Sequence, residues 1–581
     1  MAVPTEKTTE EPGERELKDL AERPEAAADA PDPKRWVALS VILFAAFMDL
    51  LDVTIVNVAV PSIQGDLGAS YSAVAWITAG YALSFATLLI TGGRLGDIYG
   101  RRRVLLIGMA GFTVASLLCG IADSPGMLVA ARVVQGAMAA LMVPQVLSII
   151  HVTFPAEERG KVFGMFGGIG GLAVILGPVL GGVFVEADLF GWSWRPIFLV
   201  NLPVGIATFI AALYFVRESK DPDAPRLDVV GVVLAAASVL MLVYPLTQGR
   251  ELGWPAWSFV MMAGSLVLLG CFISYERRLI ARGGSPLIAL DMFTARSFAG
   301  GFSVNLVYSV AYGTFFLTWT LYMQTGLGWS AMRAGLTALP MFIGFILAAG
   351  MAVQFLTPRF GRRVLFAGGG LLILGGLALI WASDRYGLGI DSVEMSVPIF
   401  VFGLGMGCVV APVLDFALTD VPHKVAGSAS GVLNTSGQLG GAIGIALVAV
   451  LFLAALPGQS GKGIDSVEAR VHQELTVAGV ADEDVRNGIV AGYRLCTEDR
   501  MAEVDPSVVP ESCRTAPDGV TPEQAEVVAG VLADNAGDAQ AETFARAFRV
   551  GMFYVLGLFA LMTLLMTALP KFAKPQQEPA L

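Results

Sequence analysis

An all-α membrane protein with about fourteen crossings is the fold class that the sequence predicts, on three observations. Hydrophobic residues make up 55% of the 581 and charged residues only 15%, with a mean hydropathy of +0.67, a balance typical of polytopic membrane chains. Apolar runs of about 20 residues, enough for one helical crossing, recur along the whole chain. The short connections between them collect Lys and Arg on alternate sides.

In order, the runs lie near 36–60, 72–92, 103–121, 126–150, 160–185, 195–216, 228–247, 257–275, 298–323, 334–356, 363–382, 396–418, 427–455 and 547–569. Ahead of the first, Met1 to Asp32 is rich in Glu, Ala and Pro without an apolar core, so 1–35 reads as a disordered tail and not as a cleaved signal. One set of connections carries Arg94, Arg101, Arg102, Arg103, Arg159, Lys161, Arg217, Arg277, Arg278, Arg362, Arg363 and Lys424, among others. The other set has little beyond Arg195, Arg250, Arg333 and Arg385. The positive-inside rule then places both termini in the cytoplasm of a multi-pass protein of the cytoplasmic membrane, as an even number of spans requires.

The formal charge of −11 belongs to the soluble appendages. By sequence, 456–545 holds about 17 acids against about 6 bases, and the N-terminal tail about 10 against 4. No basic stripe with interleaved aromatics points to nucleic acid. With three His residues, no metal-spaced cluster and no phosphate-binding Gly-rich loop, neither catalysis nor a cofactor nor ATP coupling is expected. A proton gradient is instead the expected energy source, on the strength of two acids in the first apolar run.

Two carboxylates, Asp49 and Asp52, interrupt the first apolar run within FMDLLDVTIVNVAVP, Phe47 to Pro61. An acid at membrane depth costs about 2.5–3.5 kcal/mol on insertion scales and is usually functional. Three residues apart, the two share a helix face, an arrangement suited to taking up and releasing a proton, with Asp52 expected as the carrier and Asp49 as its assistant. The alternative for Asp49 is a wet helix face or neutralisation by an Arg.

The chain also repeats itself. GGRLGDIYGRRR, Gly92 to Arg103, is echoed by LTPRFGRRV, Leu356 to Val364, matching Gly100, Arg101 and Arg102 with Gly361, Arg362 and Arg363. ERGKVFG, Glu158 to Gly164, is echoed by VAGSASG, Val425 to Gly431. Paired halves with a site between them at the midplane are the plan of alternating-access transporters. The offsets leave room for two extra spans between the halves. The organisation expected is a six-helix bundle at 36–216, two linker spans and a connection at 217–296, five helices of a second bundle at 297–455, an insert at 456–545, and the last span with a cytoplasmic tail at 546–581.

On these motifs the chain resembles the major facilitator superfamily, and within it the fourteen-helix drug:proton antiporter type, from Trp36 to Lys571 apart from the insert. LDVTIVNVAVP, Leu51 to Pro61, resembles the first-helix motif, with its acid at Asp52. GRLGDIYGRRR, Gly93 to Arg103, resembles the loop motif between spans two and three. RVVQG, Arg132 to Gly136, resembles the fourth-helix motif, and GGLAVILGPVLGG, Gly170 to Gly182, the fifth-helix antiporter motif.

The resemblance implies roles. Gly93, Asp97, Gly100, Arg101 and Arg102 would form a latch that holds the halves together in one state, although a positive loop that only sets topology needs the arginines alone. Pro358 stands where Asp97 would align in the second copy. Arg132 would partner the first-helix acids or, alternatively, backbone carbonyls. Gly177, Pro178, Gly181 and Gly182 would allow close helix approach and a hinge. Asp415 is expected to be either a second protonatable group or an acid of the inner vestibule, and Glu186 a solvated residue at the outer mouth. Tyr308, Tyr312, Phe316 and Trp319 give the ninth span an aromatic face suited to lipophilic cations or to lipid.

Cys496 and Cys513 alone among the five cysteines fall outside predicted helices, in an insert placed outside the cell where a disulfide persists. Val467–Val480 and Pro522–Ala541 predict an amphipathic helical hairpin there. The expected function is proton-coupled efflux of lipophilic, cationic compounds by a monomer whose other partners are protons and lipids. The alternatives are export of an endogenous lipid, siderophore or secondary metabolite and, with less support, a non-transporting sensor or scaffold.

Overall fold

Long apolar stretches leave helix as the structure that satisfies every backbone group within a bilayer, and helices make up almost all of the described residues. The computed structural model describes residues 34–188, 191–220, 227–249, 252–421, 426–502, 509–514, 520 and 522–572. Apart from its last two residues the tail expected at 1–35 lies outside them, as do the chain beyond 572 and Val425, the first residue of the second echo.

The first half comprises α1 (Arg35–Leu67), α2 (Tyr71–Tyr99), α3 (Arg101–Gly120), α4 (Pro125–Thr153), α5 (Ala156–Ala187) and α6 (Asn201–Phe215). A linker hairpin follows, α7 (Val229–Gln248) and α8 (Ala256–Ala281). The second half contains α9 (Arg296–Leu321), α10 (Ala331–Phe360, broken into short helical pieces), α11 (Arg363–Tyr386), α12 (Ser392–Leu418) and α13 (Ala426–Leu451). Beyond these lie α14 (Leu456–Val477), α15 (Glu483–Ala502) and α16 (Pro522–Leu565).

Thirteen helices among the described residues are long and apolar enough to cross a membrane. The remaining expected span, the ninth, is present as the 26-residue helix α9 and falls outside that group because Gly, Ser, Asn, Tyr and Thr dilute its apolar run. Prolines inside α1, α4, α5, α7 and α12 do not end those helices, as packed membrane helices allow.

Within the first half α2 packs on α4, α3 on α4 and α1 on α5; in the second, α10 packs on α12, α9 on α13 and α11 on α12. The halves meet through α2 against α13 and α5 against α10. At the end remote from Arg101–Arg103 the seam is closed. Gln324 Nε2 donates to the Val58 carbonyl at 3.0 Å and the Ser330 hydroxyl to Glu186 at 3.1 Å. Glu186 is exposed, as expected, yet also touches the second half.

The insert corrects the expected hairpin. It has three helices: α14, α15, and the first turns of α16, which run unbroken into the last membrane span. The span expected at 547–569 thus belongs to a helix of 44 residues, with no proline after its first position to stop it. The middle helix was hidden by its polar composition, although Val485, Ile489 and Tyr493, at intervals of four, form an apolar stripe that packs into the domain's own core with Val467, Val471 and Leu475. Cys496, in α15, is bridged to Cys513, with 4.7 Å between the Cα atoms.

Candidate functional site

Asp52 lies on α1 with none of its surface exposed, and Arg132, on α4, is 2% exposed. An unpaired charge at such a depth is costly, and the two form an ion pair of 2.5 Å between Arg132 Nη1 and Asp52 Oδ2. The other carboxylate oxygen accepts from Gln135 Nε2 at 2.9 Å and from Asn201 Nδ2 at 2.9 Å. Both amides also donate to Ser116 Oγ, whose hydroxyl donates to the Phe198 carbonyl. Arg132 Nε donates to the Ile77 carbonyl at 3.1 Å and Nη1 to Gln135 Oε1 at 2.7 Å. Of the two partners that the sequence left open for Arg132, the structure shows both.

Asp49, one turn earlier and 5% exposed, is held differently. The Tyr81 hydroxyl donates to its Oδ1, and among the described residues no cation forms an ion pair with it. Tyr81 in turn lies under the guanidinium of Arg132, 4.3 Å from ring centroid to Cζ. Asp49, Tyr81, Arg132 and Asp52 thus form one buried chain across α1, α2 and α4. Gln135 was within a quoted motif, but Tyr81, Asn201 and Ser116 were missed; polar residues in apolar spans were the available signal.

The glycine run of α5 supports this site from behind. A Cβ on Gly177 would lie 2.0 Å from Thr54 Oγ1, and one on Gly181 2.9 Å from the Ile55 carbonyl oxygen, so α5 sits directly against the segment of α1 that carries Asp52. On its other side a Cβ on Gly182 would lie 2.4 Å from Met332 Cα, and Gly335 packs on the Pro178 carbonyl. The same run therefore forms the contact between halves.

In the loop motif Asp97 accepts from Arg101 Nε and Nη2 at 3.1 and 2.8 Å, both in the first half. Gly100 turns the chain at φ +111°, and Gly93 faces Pro144. The Arg102 guanidinium donates to the Leu213 carbonyl. The arginine that reaches outward is Arg94, which donates to the carbonyls of Ser285, Pro286 and Leu287, in the connection that leads to the second half.

The remaining candidates are not brought to this site. Asp415 is exposed on α12 and takes no part in the network. Tyr308 and Tyr312 stack with centroids 6.0 Å apart, Tyr312 continues to Phe316 at 5.9 Å, and Trp319 is enclosed against Phe315 in the core of the second half.

Two helical bundles, the first of which encloses a buried charge network, with a further helical pair between them, define a secondary-transporter architecture. The chain belongs to the Major Facilitator Superfamily, whose family model matches residues 42–445. It is 41% identical to the probable actinorhodin transporter of Streptomyces coelicolor over 96% of this chain and 95% of that protein. The puromycin resistance protein pur8 of Streptomyces alboniger is 34% identical over 73% of this chain and 83% of its own length. The multidrug resistance protein Stp of Mycobacterium tuberculosis is 34% identical over 70% and 74%. Among solved structures, a bacterial homolog of the human lysosomal transporter Spinster has the same fold, with a TM-score of 0.60 at 15% identity, covering 95% of this chain and 100% of that one.

Proposed function

We propose that the chain exports lipophilic, often cationic, small molecules across the cytoplasmic membrane in exchange for protons, by alternating access, with both termini inside. Relatives named for multidrug resistance, puromycin resistance and tetracenomycin C export support the substrate class. A second reading, export of a secondary metabolite made by the same cell, is favoured by one observation: the relative that matches nearly the whole chain, insert included, is named as a probable actinorhodin transporter.

The observation that carries proton exchange is the pair of unlike acids one turn apart. Asp52 has a buried counter-ion and two further donors; adding a proton there would leave Arg132 a buried charge without compensation. Asp49 has a single hydroxyl donor and can accept a proton without orphaning a cation. The proposal therefore assigns the exchangeable proton to Asp49 and makes Asp52 the residue that fixes Arg132, a division that sequence alone placed the other way. A cationic substrate and a proton then compete for Asp49, and closure at alternate ends couples their fluxes. Asp415 remains a candidate for a second proton site, and Tyr308, Tyr312 and Phe316 for an aromatic wall of the substrate path.

The test is substrate-driven proton movement, read by a pH probe sealed in proteoliposomes. Asp49→Asn is expected to abolish the signal while the purified protein still binds a neutral substrate. An undiminished signal would overturn the assignment and move attention to Asp415.

A further inference from the structure

The linker hairpin contains a second buried acid pair that the transport reading does not use. α7 packs against α2 of the first half and α13 of the second, and α8 packs along α7, so the hairpin straps the seam between the halves. Asp228 stands just ahead of α7, 6% exposed, and Glu276 lies near the end of α8 with none of its surface exposed.

One oxygen of each acid is satisfied. Asp228 Oδ1 accepts from the Gly231 amide and from the Tyr275 hydroxyl, each at 2.9 Å, and Glu276 Oε2 accepts from the Ile288 amide at 3.3 Å. The other two, Asp228 Oδ2 and Glu276 Oε1, are buried without a hydrogen-bond partner. Both point at one spot: a Cβ on Gly231 would lie 2.3 Å from the first and 2.5 Å from the second. Among the described residues the charged or titratable groups facing the pair are Arg94 of α2 and Tyr275 of α8. α13 carries no charged side chain, and Asp291, in the turn after α8, is exposed. Two buried carboxylates against one guanidinium leave a negative charge to be compensated, and two unpartnered acceptors cannot bond to each other without a hydrogen.

We propose that Asp228 and Glu276 are a proton-binding site separate from the Asp49–Asp52 network, at which one shared proton clamps α7 to α8 and sets how tightly the hairpin straps the two halves. The proton comes from water at the arginine-rich end. Its O–H bond forms on one of the two free oxygens and donates to the other. When it returns to water the two carboxylates repel across Gly231 and the hairpin loosens.

The experiment is thermal unfolding of the purified full-length protein in lipid nanodiscs at about pH 6 and about pH 8.5, which bracket titration of a shared carboxyl. The folded pair binds a proton that the unfolded carboxylates release, so stability falls as pH rises; the expected loss in the parent is about 2–4 °C. Glu276→Gln and Asp228→Asn each supply an amide that donates to the remaining carboxylate at every pH, and are expected to flatten this dependence. The melts are run in the Asp49→Asn background, so that the exchangeable proton assigned to Asp49 adds nothing to the slope. In proteoliposomes the two amide variants should hold the low-pH turnover rate at all internal pH values; that readout rests on the transport reading, whereas unfolding does not. A parent without the pH dependence, variants with the parent's slope, or variants that do not fold at either pH would overturn the proposal.

Discussion

At the arginine-rich end of the molecule the same corner is built twice. In the first half Gly100 turns the chain at φ +111° and the Arg101 amide donates to the Ser219 carbonyl at 2.8 Å; in the second, Gly361 turns it at φ +58° and the Arg362 amide donates to the Lys571 carbonyl at 2.9 Å. Each half thus ties the start of its third helix to the chain leaving its sixth. The first copy adds charge to this scheme. The Glu218 carboxylate accepts from the Arg102 and Arg103 amides, where it caps the positive end of α3, and Asp97 pairs with Arg101. The second has Pro358 at the place of Asp97 and satisfies Arg362 with the carbonyls of Thr567 and Leu569. The cores differ in the same sense: among the described residues every buried charged side chain, Asp49, Asp52, Arg132, Asp228 and Glu276, precedes α9. What the halves share is scaffold, and what they do not share is buried charge.

The severest way to break this asymmetry is Arg132→Ala. Removing one partner of a buried pair leaves the other uncompensated, at about 3–5 kcal/mol, so the expected result is a large loss of thermal stability together with loss of transport. The neutral double variant Asp52→Asn with Arg132→Gln should recover most of the stability and none of the proton coupling. Equal stability of Arg132→Ala and the parent in detergent melts would show that the network does not hold the first half.

Next in size is the seam between the halves. Gly182→Ala puts a methyl group against Met332 Cα, a backbone atom that cannot turn aside, whereas Gly171→Ala meets only the end of the Ile346 side chain at 3.2 Å. We expect Gly182→Ala to slow turnover roughly tenfold, about 1.4 kcal/mol in the barrier, and Gly171→Ala to have little effect. Initial rates in proteoliposomes separate the two, and equal rates would remove the α5–α10 contact from the conformational cycle.

A smaller effect is expected at the loop. Asp97→Asn removes a half-exposed ion pair, worth at most about 1 kcal/mol to stability, so folding and substrate binding should persist while turnover falls a few-fold. Placing an acid in the second copy, Pro358→Asp, should not raise turnover in compensation, because Arg362 is already committed to carbonyls. Transport by Asp97→Asn matching the parent across substrate concentrations would reduce the motif to a topology signal.

Much of this was legible in the sequence for a physical reason. Span number, the corner at Gly100 and Gly361, and the pairing of Arg132 with an acid follow from local rules: apolar length, glycine at a left-handed turn, and the cost of a buried charge. What was not legible depends on which helices become neighbours. Nothing in Asn201 or Ser116 announces that they meet at Asp52, and Trp319 shares its helical stripe with Tyr312 yet faces the core of its own half. The division of labour between Asp49 and Asp52 likewise depends on where Arg132 ends up. Within the insert, α15 was masked by its charges, and the continuity of α16 by the assumption that a membrane span begins where its apolar residues begin.

The mildest test concerns the insert, which holds about 17 acids by sequence but forms its own small core. The Cys496–Cys513 bridge joins residues 17 apart, and in the chain-entropy model closing such a loop stabilises by roughly 3 kcal/mol. That contribution is local, because the domain's core of Val467, Val471, Leu475, Ile489 and Val490 is separate from both membrane halves. Its connections to them are Leu456 of α14 and Met501 of α15, which pack in the second half's core, and α16, where Gln540 donates to the Thr325 carbonyl at 2.8 Å and Tyr322 stacks on Phe548. Cys496→Ser with Cys513→Ser is therefore expected to speed proteolytic cleavage within 503–519 and to leave transport within about twofold of the parent. Transport falling as far as in Arg132→Ala would mean that the bridge holds part of the transport path in place, and the charge asymmetry between the halves would no longer be enough to say where function resides.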